Sequence, residues 1–249
     1  MGSSAEDRIT LSQHDAASVL VEDLRGRMAE AADPARAPGM QAYMKSSMPF
    51  RGVSAVPLRA ICREVLDRHR LDDRVTWEHA VRVLWDGAAY REERYAAIAL
   101  TGHRLYLGFQ DAATLDLYLH LVVTGGWWDL VDVVAANRVG PILRADPAAV
   151  TPVIHAWSRD EGLWVRRTAV LCQLRSKDDT DTALLDEVLT ANLEGSPHGR
   201  DFFIRKAVGW ALREYARTDP TWVRSFVDAH TSELSGLARR EALKHVRAV

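Results

Sequence analysis

The sequence predicts an all-α protein built as an array of paired helices. Three observations carry this expectation. Apolar residues recur at i, i+3, i+4 and i+7 through most of the chain, the spacing of one buried helical face. No segment alternates apolar and polar residues long enough to make a strand, and no hairpin signal occurs. Polar or Pro/Gly breaks cut the chain into about a dozen helices of roughly 10–18 residues, arriving in pairs of about 40 residues, the period of HEAT-type repeats. About six such pairs would stack into a HEAT-like helical repeat solenoid, C-shaped, with a long concave face. A globular helical bundle is the alternative.

Taken in order, residues 1–10 read as a disordered leader and residues 11–249 as one repeat domain. Leu11 to Ala32 has helix composition. Asp33 to Gly39, with Pro34 and Pro38, breaks it, and Gly39 to Lys45 begins the next helix. Ser54 precedes Val56-Pro57-Leu58, a capped start with proline in the first turn, and this helix extends to about Arg70. Thr76, Trp77, Ala80, Val81, Leu84 and Trp85 repeat the pattern, Glu93 to Leu100 follows, and Asp111 to Val123 leads into Thr124–Ala135. Asp146-Pro147 and Asp160 to Gly162 open further helices.

Composition excludes several function classes. The chain of 249 residues is 47% hydrophobic, enough for a sizeable core. No run approaches the roughly 18 apolar residues of a membrane span, and the N-terminus lacks the apolar segment of a signal peptide. A cytoplasmic protein with no membrane partner is therefore expected. Cys62 and Cys172 each lie in an apolar helical pattern, which suggests buried reduced thiols rather than a disulfide framework or a zinc site. A net charge of -2 argues against a uniformly basic surface but leaves open how charges are sorted over it. Only Lys45, Lys177, Lys206 and Lys244 among the 32 basic residues are lysine, a bias that coding composition explains without function.

The chain is organised around Thr124–Ala135, T-G-G-W-W-D-L-V-D-V-V-A, which reads as a helix entered through Gly125 and Gly126. Trp127, Leu130, Val131 and Val134 follow helical spacing and form its buried stripe. Trp128 and Asp132 do not join them; four residues apart, they stack on the flank beside the core face. An indole beside a carboxylate there can face a groove. Read alone, the segment also permits a Trp covering a helix seam and an Asp on the solvated side.

Phe202–Arg217 carries a second signal. Ile204, Ala207, Val208, Ala211, Leu212 and Tyr215 form the apolar face, and Lys206, Trp210, Arg213 and Arg217 lie opposite. A solvated helix surface is one reading of the cations. An exposed Trp within a basic stripe is also what nucleic-acid surfaces use to combine phosphate neutralisation with aromatic contact. Arg240, Lys244 and Arg247 repeat basic spacing in the last helix. Arg167 projects into the apolar arc of Leu163, Val170 and Leu174, so it is expected either to be paired or to reach a ligand anion, because an unpaired buried guanidinium is very costly.

At these residues the chain resembles the AlkD family of alkylpurine DNA glycosylases, which are built from HEAT-like repeats. The likeness runs from about Met40 to Ala248. It rests on Y-M-K at Tyr43–Lys45, W-W-D-L-V-D at Trp127–Asp132, L-W-V-R-R-T-A-V-L-C-Q-L at Leu163–Leu174, F-F-I-R-K-A-V-G-W-A-L-R-E-Y-A at Phe202–Ala216, and R-R-E-A-L-K-H at Arg239–His245. The resemblance implies that Asp132 is the catalytic carboxylate, that Trp128 and Trp210 flank it, and that Arg167 contacts the DNA backbone near the lesion. It also implies DNA contacts from Tyr43, Lys45, Lys206, Arg213, Arg217, Arg240 and Lys244. The implied partner is duplex DNA containing alkylated purines, met by a monomer without metal or organic cofactor, and the lesion would stay largely within the duplex. The chain departs from the family pattern between Arg175 and Arg200, which is longer and more acidic, and at Ser46–Arg51.

The chemistry follows separately from the residue types. A purine alkylated at N3 or N7 is cationic, so its glycosidic bond needs little acid catalysis at the leaving base. Charge then develops on the deoxyribose, where one fixed carboxylate stabilises it and orients water, while two indole faces offer their negative quadrupole. Neutral glycosides generally need a second carboxyl group as acid, and Asp129 points away from Asp132 on the wheel. Lys206 is the only lysine placed to act as a lyase nucleophile, and simple hydrolysis is the expectation. A non-catalytic binder of damaged DNA and a protein-scaffolding array are the competing readings.

Overall fold

The structure, a computed structural model, describes residues 5–246, with side chains from Ala16 onward. Among the described residues the chain is helical throughout, with fourteen α-helices, short 3-10 and π turns and no strand. None of these helices is long and apolar enough to cross a membrane. The first, α1 (Ala5–Glu30), begins inside the segment read from sequence as a leader, and residues 1–4 lie outside the described part. The chain divides into two compact units, residues 1–109 and 110–249, where the sequence pattern suggests one domain.

In the first unit α1 packs against α3 (Ala55–Arg68), α4 (Arg74–Asp86) and α5 (Arg91–Thr101), and α4 packs on α5. Leu20, Leu24, Met28, Trp77, Leu84 and Trp85 fill the space between them and are fully buried. Asp73 caps α4 by accepting from the Thr76 N–H at 2.9 Å. Ser54 does occupy the N-cap of α3, but its hydroxyl makes no capping bond. The loop ahead of α3 is held from elsewhere. Buried Glu92 accepts from the backbone N–H groups of Arg51, Gly52 and Val53 at 3.0, 2.9 and 3.1 Å. The short helix α2 (Ala37–Met44) ends at Lys45 in the left-handed region, with φ of 49°.

The second unit contains α6 (Leu115–Gly125), α7 (Trp128–Val134), α8 (Gly140–Ala145), α9 (Pro147–Trp157), α10 (Leu163–Leu171), α11 (Thr182–Thr190), α12 (Phe202–Tyr215), α13 (Pro220–Ala229) and α14 (Gly236–Ala242). Helix α10 is central and packs on α6, α7, α9, α11 and α12, while α12 packs extensively on α14. The glycines of T-G-G-W-W divide their work differently from the sequence expectation. They close α6 rather than open α7. Gly126 is its left-handed cap, with φ of 49° and its N–H bonded to the Val122 carbonyl.

From Trp128 the backbone stays helical to Ala145, passing through a π turn at Ala135–Val139. Pro141 accounts for the widening, since it donates no N–H and its ring crowds the carbonyl four residues back. Gly140 sets the approach to α10. A Cβ there would lie 2.1 Å from the Cys172 carbonyl oxygen, so only glycine lets the two segments meet this closely. Cys62 and Cys172 are buried and free, and burial pushes both thiols up to about 12.

Candidate active site

Helices α7, α10 and α12 meet through their N-terminal halves, and side chains from each converge there. Trp127 does not extend the buried stripe as its spacing suggests. It is the extended N-cap of α7, and the stripe begins at Leu130. Its ring instead meets Trp164 of α10 at 5.9 Å and the Phe203 ring of α12 at 5.4 Å, and Trp164 meets Phe203 at 4.9 Å. This aromatic wedge fixes the spacing of the three helix starts. The Trp127 indole N–H is buried and finds no partner among the described residues.

Asp132 sits one turn into α7 and Arg167 one turn into α10. The guanidinium grips the carboxylate with two parallel bonds, Nε to Oδ1 at 2.7 Å and Nη2 to Oδ2 at 2.8 Å. Its Nη1 donates to the Phe203 carbonyl. The side chains of Arg167 and Asp132 keep only 5% and 12% of their surface exposed. Of the two sequence alternatives for Arg167, pairing is the one observed. A fork-to-fork pair of this kind fixes orientation as well as charge. An ionised carboxylate has about four acceptor positions and a guanidinium five donors. These contacts use three of the five donors and two of the four acceptor positions.

Burial holds the Asp132 carboxyl above its ordinary value of 3.8; hydrogen bonds from Arg167 and its charge pull the other way, and Asp129 pushes upward again. The arrangement thus keeps a carboxylate in a poorly solvated place. Trp128, one turn earlier on α7, is 36% exposed and, four residues before Asp132, lies on the same flank of the helix. Trp210 of α12 is half-buried and follows Phe203 by seven residues, hence on the same helix face.

The neighbouring Arg166 serves a different purpose. It is buried and donates to the carbonyls of Asp160, Arg159 and Ala191 and to Asn192 Oδ1. These bonds tie the loop entering α10 to the end of α11. Two adjacent arginines are thus divided between a structural latch and the site.

The basic stripe is less free than its spacing suggests. Lys206 and Arg217 are exposed, but Arg217 contacts Glu214 at 3.3 Å. Arg213 pairs with Glu241 of α14, and Lys244 pairs with the same carboxylate. Those two cations hold the Glu241 carboxyl below its ordinary range, the Lys244 hydrogen bond first, against desolvation. Arg240 is exposed on α14, whose helix ends at Ala242, so Lys244 stands on a following 3-10 turn. Arg247 lies outside the described residues. Tyr43 and Lys45 belong to the first unit, where Tyr43 is 78% exposed. Sequence reasoning missed Phe203, which acts through its carbonyl, and the Trp164 wedge; neither role has a sequence signature. Glu241 was missed as well, although its place three residues before Lys244 is a signal for that pair.

This is an all-helical unit with a guanidinium-gripped carboxylate on a tryptophan-bearing helix. The family model described as DNA alkylation repair enzyme matches residues 24–246. The chain belongs to the DNA alkylation repair enzyme family, whose substrate is DNA. The solved structure of a predicted DNA alkylation repair enzyme from Enterococcus faecalis is similar at a TM-score of 0.77, with 28% identity, covering 88% of this chain and 98% of that one. No curated protein matches the chain.

Proposed function

We propose that the protein is a monofunctional DNA glycosylase that hydrolyses the N-glycosidic bond of cationic N3- or N7-alkylated purines in duplex DNA, in the manner of the AlkD family. The observation that carries this reading is the Asp132 carboxylate, desolvated, held by two bonds from Arg167 and sharing a helix flank with half-exposed Trp128.

The alkylated base already carries a positive charge. When the C1′–N bond breaks, the base leaves with the bonding pair as a neutral purine, and the cation passes to the deoxyribose. Ionised Asp132 stabilises that oxocarbenium ion, more strongly than in water because the site is poorly solvated. Trp128 and Trp210 present their ring faces to the same charge. Water then adds to C1′ and gives up a proton to Asp132 or solvent, leaving an abasic site. Arg167 acts twice, since it orients the carboxylate and retains two donors for a backbone phosphate. Tyr43, Lys45, Lys206, Arg217 and Arg240 supply further backbone contacts, joined by Arg213 and Lys244 when phosphates replace Glu241. The working form is a monomer in the cytoplasm, on the nucleoid.

Single-turnover base release from duplexes carrying one 7-methylguanine or one 3-methyladenine analogue tests the proposal. Asp132→Asn is expected to bind these duplexes as the wild type does but to release base at least about 100-fold more slowly, the scale of losing one preorganised charge contact. Equal rates in the two proteins sink the role of Asp132. Tight binding without release by the wild type makes the chain a damage-recognition module instead.

A further inference from the structure

The same unit holds a cavity lined by none of Trp128, Asp132, Arg167 and Trp210. It measures about 710 Å³ and opens between the C-terminal parts of α10 and α12 and the start of α11. Its floor is aliphatic, made by Val170, Leu174, Leu185 and Ala211, and Arg175, Lys177 and Arg217 stand around it. Its size falls within the range of about 300–1,000 Å³ usual for small-molecule pockets.

The connection from α10 to α11 is pinned so that its charges are sorted. Buried Gln173 donates to the Asp181 carbonyl at 3.0 Å and accepts from the Asp181 N–H at 2.9 Å. Buried Ser176 is held through its hydroxyl by Arg144 at 3.2 Å, and its N–H meets the Gln173 carbonyl. Between these anchors, Arg175 and Lys177 face the first cavity. Asp178, Asp179 and Asp181 line a second one, of about 800 Å³, on the other side with Arg144. Arg217 is balanced by Glu214, whereas Arg175 and Lys177 make no ion pair among the described residues.

Lys177 is the informative residue. Its φ of 51° lies in the left-handed region, where a lysine is disfavoured and glycine is not. The side chain is exposed and makes no hydrogen bond among the described residues, so no contact of its own offsets that backbone cost. What the lysine adds there is a positive charge at the mouth of the cavity. The Tyr215 hydroxyl completes the rim. Burial, with the carboxylates of Asp219 and Asp178, holds it above the ordinary range, so it remains a donor, and its ring is set edge-on against Trp222 at 5.4 Å.

We propose that this cavity binds a small organic anion, an apolar ring or chain bearing a phosphate or carboxylate group, with the apolar body on the Leu174–Leu185 floor and the acid group between Arg175 and Lys177. The cavity is lined by Val170, Leu174, Leu185 and Ala211 and by polar groups that include Gln173, Thr180 and Glu214. The proposal does not depend on glycosylase activity.

Phenyl phosphate is the probe, with inorganic phosphate and phenol as its separated halves, titrated into the full chain and followed by the methyl resonances of Leu174 and Leu185. Saturable shifts are expected, with affinity at least about tenfold above either half, since two recognised parts reinforce one another on one ligand. Lys177→Gly suits the backbone there, so its melting temperature should equal or exceed the wild type's while probe affinity falls about five- to tenfold. Absence of saturable shifts at these methyls, or wild-type affinity in Lys177→Gly, overturns the proposal.

Discussion

The proposed chemistry needs Asp132 as a carboxylate, yet burial raises its carboxyl above the ordinary value. Burial is the larger influence and Arg167 offsets only part of it, so the folded carboxyl titrates above 3.8 while the unfolded one stays there. The folded state therefore binds this proton more tightly than the unfolded state. Stability associated with the group is greatest below the ordinary value and declines as pH rises through the folded one. Two effects compete in Asp132→Asn. Removing one member of a buried ion pair commonly costs about 3–5 kcal/mol, because the partner is left with an uncompensated charge. Here Arg167 keeps the Phe203 carbonyl and one bond to the amide oxygen, its second fork donor loses its acceptor to the amide N–H, and the desolvated negative charge is gone. The second effect wins at pH 7. Thermal melts should show Asp132→Asn at or above the wild type, with the difference vanishing in acid as Asp132 takes up its proton. A fall of more than about 4 °C, roughly 1 kcal/mol in a chain of this size, refutes that balance. In base release, the acid limb of the wild-type rate profile is expected above the pH of an ordinary aspartate.

Helices α12 and α14 show how an element can hold its cations in reserve. Lys206, Trp210, Arg213 and Arg217 share a face, as the wheel indicates, but spacing does not reveal that Glu241 on another helix takes Arg213 and Lys244 together. The periodicity of one helix encodes which residues share a face; it cannot encode what a neighbouring helix places opposite. The same limit explains the glycines of T-G-G-W-W, whose pattern suits a helix entry although Gly126 closes the preceding helix. For Arg167 the sequence left a protein partner and a ligand anion as alternatives, and it did not point to Asp132 as the partner. Glu241→Gln frees two cations, and each one that then neutralises a phosphate adds about 0.9 to the slope of log affinity against log salt. Titrations of an undamaged duplex at several salt concentrations should therefore give tighter binding at low salt and a slope steeper by about 1–2. An unchanged slope means that Arg213 and Lys244 serve only to fasten α14.

At the scale of the whole chain, helix class and order were legible because nearly every helix buries a stripe at regular spacing, and the start at Asp146 is marked by a side-chain cap; the caps at Asp73 and Asp181 went unread. The two-unit division was not, since a helical array repeats the same local pattern on both sides of a boundary. The array also makes its stability local, each helix depending on its neighbours, so openings proceed in cooperative blocks rather than through the whole chain. Gly140→Ala probes this. Its Cβ would meet the Cys172 carbonyl at 2.1 Å, a backbone atom that cannot rotate aside, so α8 must withdraw from the end of α10. Overpacking of this sort costs about 1–3 kcal/mol. Native-state hydrogen exchange should show that loss in the slow amides of α8 and α10, with those of α1 and α4 protected as before. Equal loss in both units would mean that the chain unfolds as one cooperative body, and that strain beside the Arg167 helix is shared by all of it.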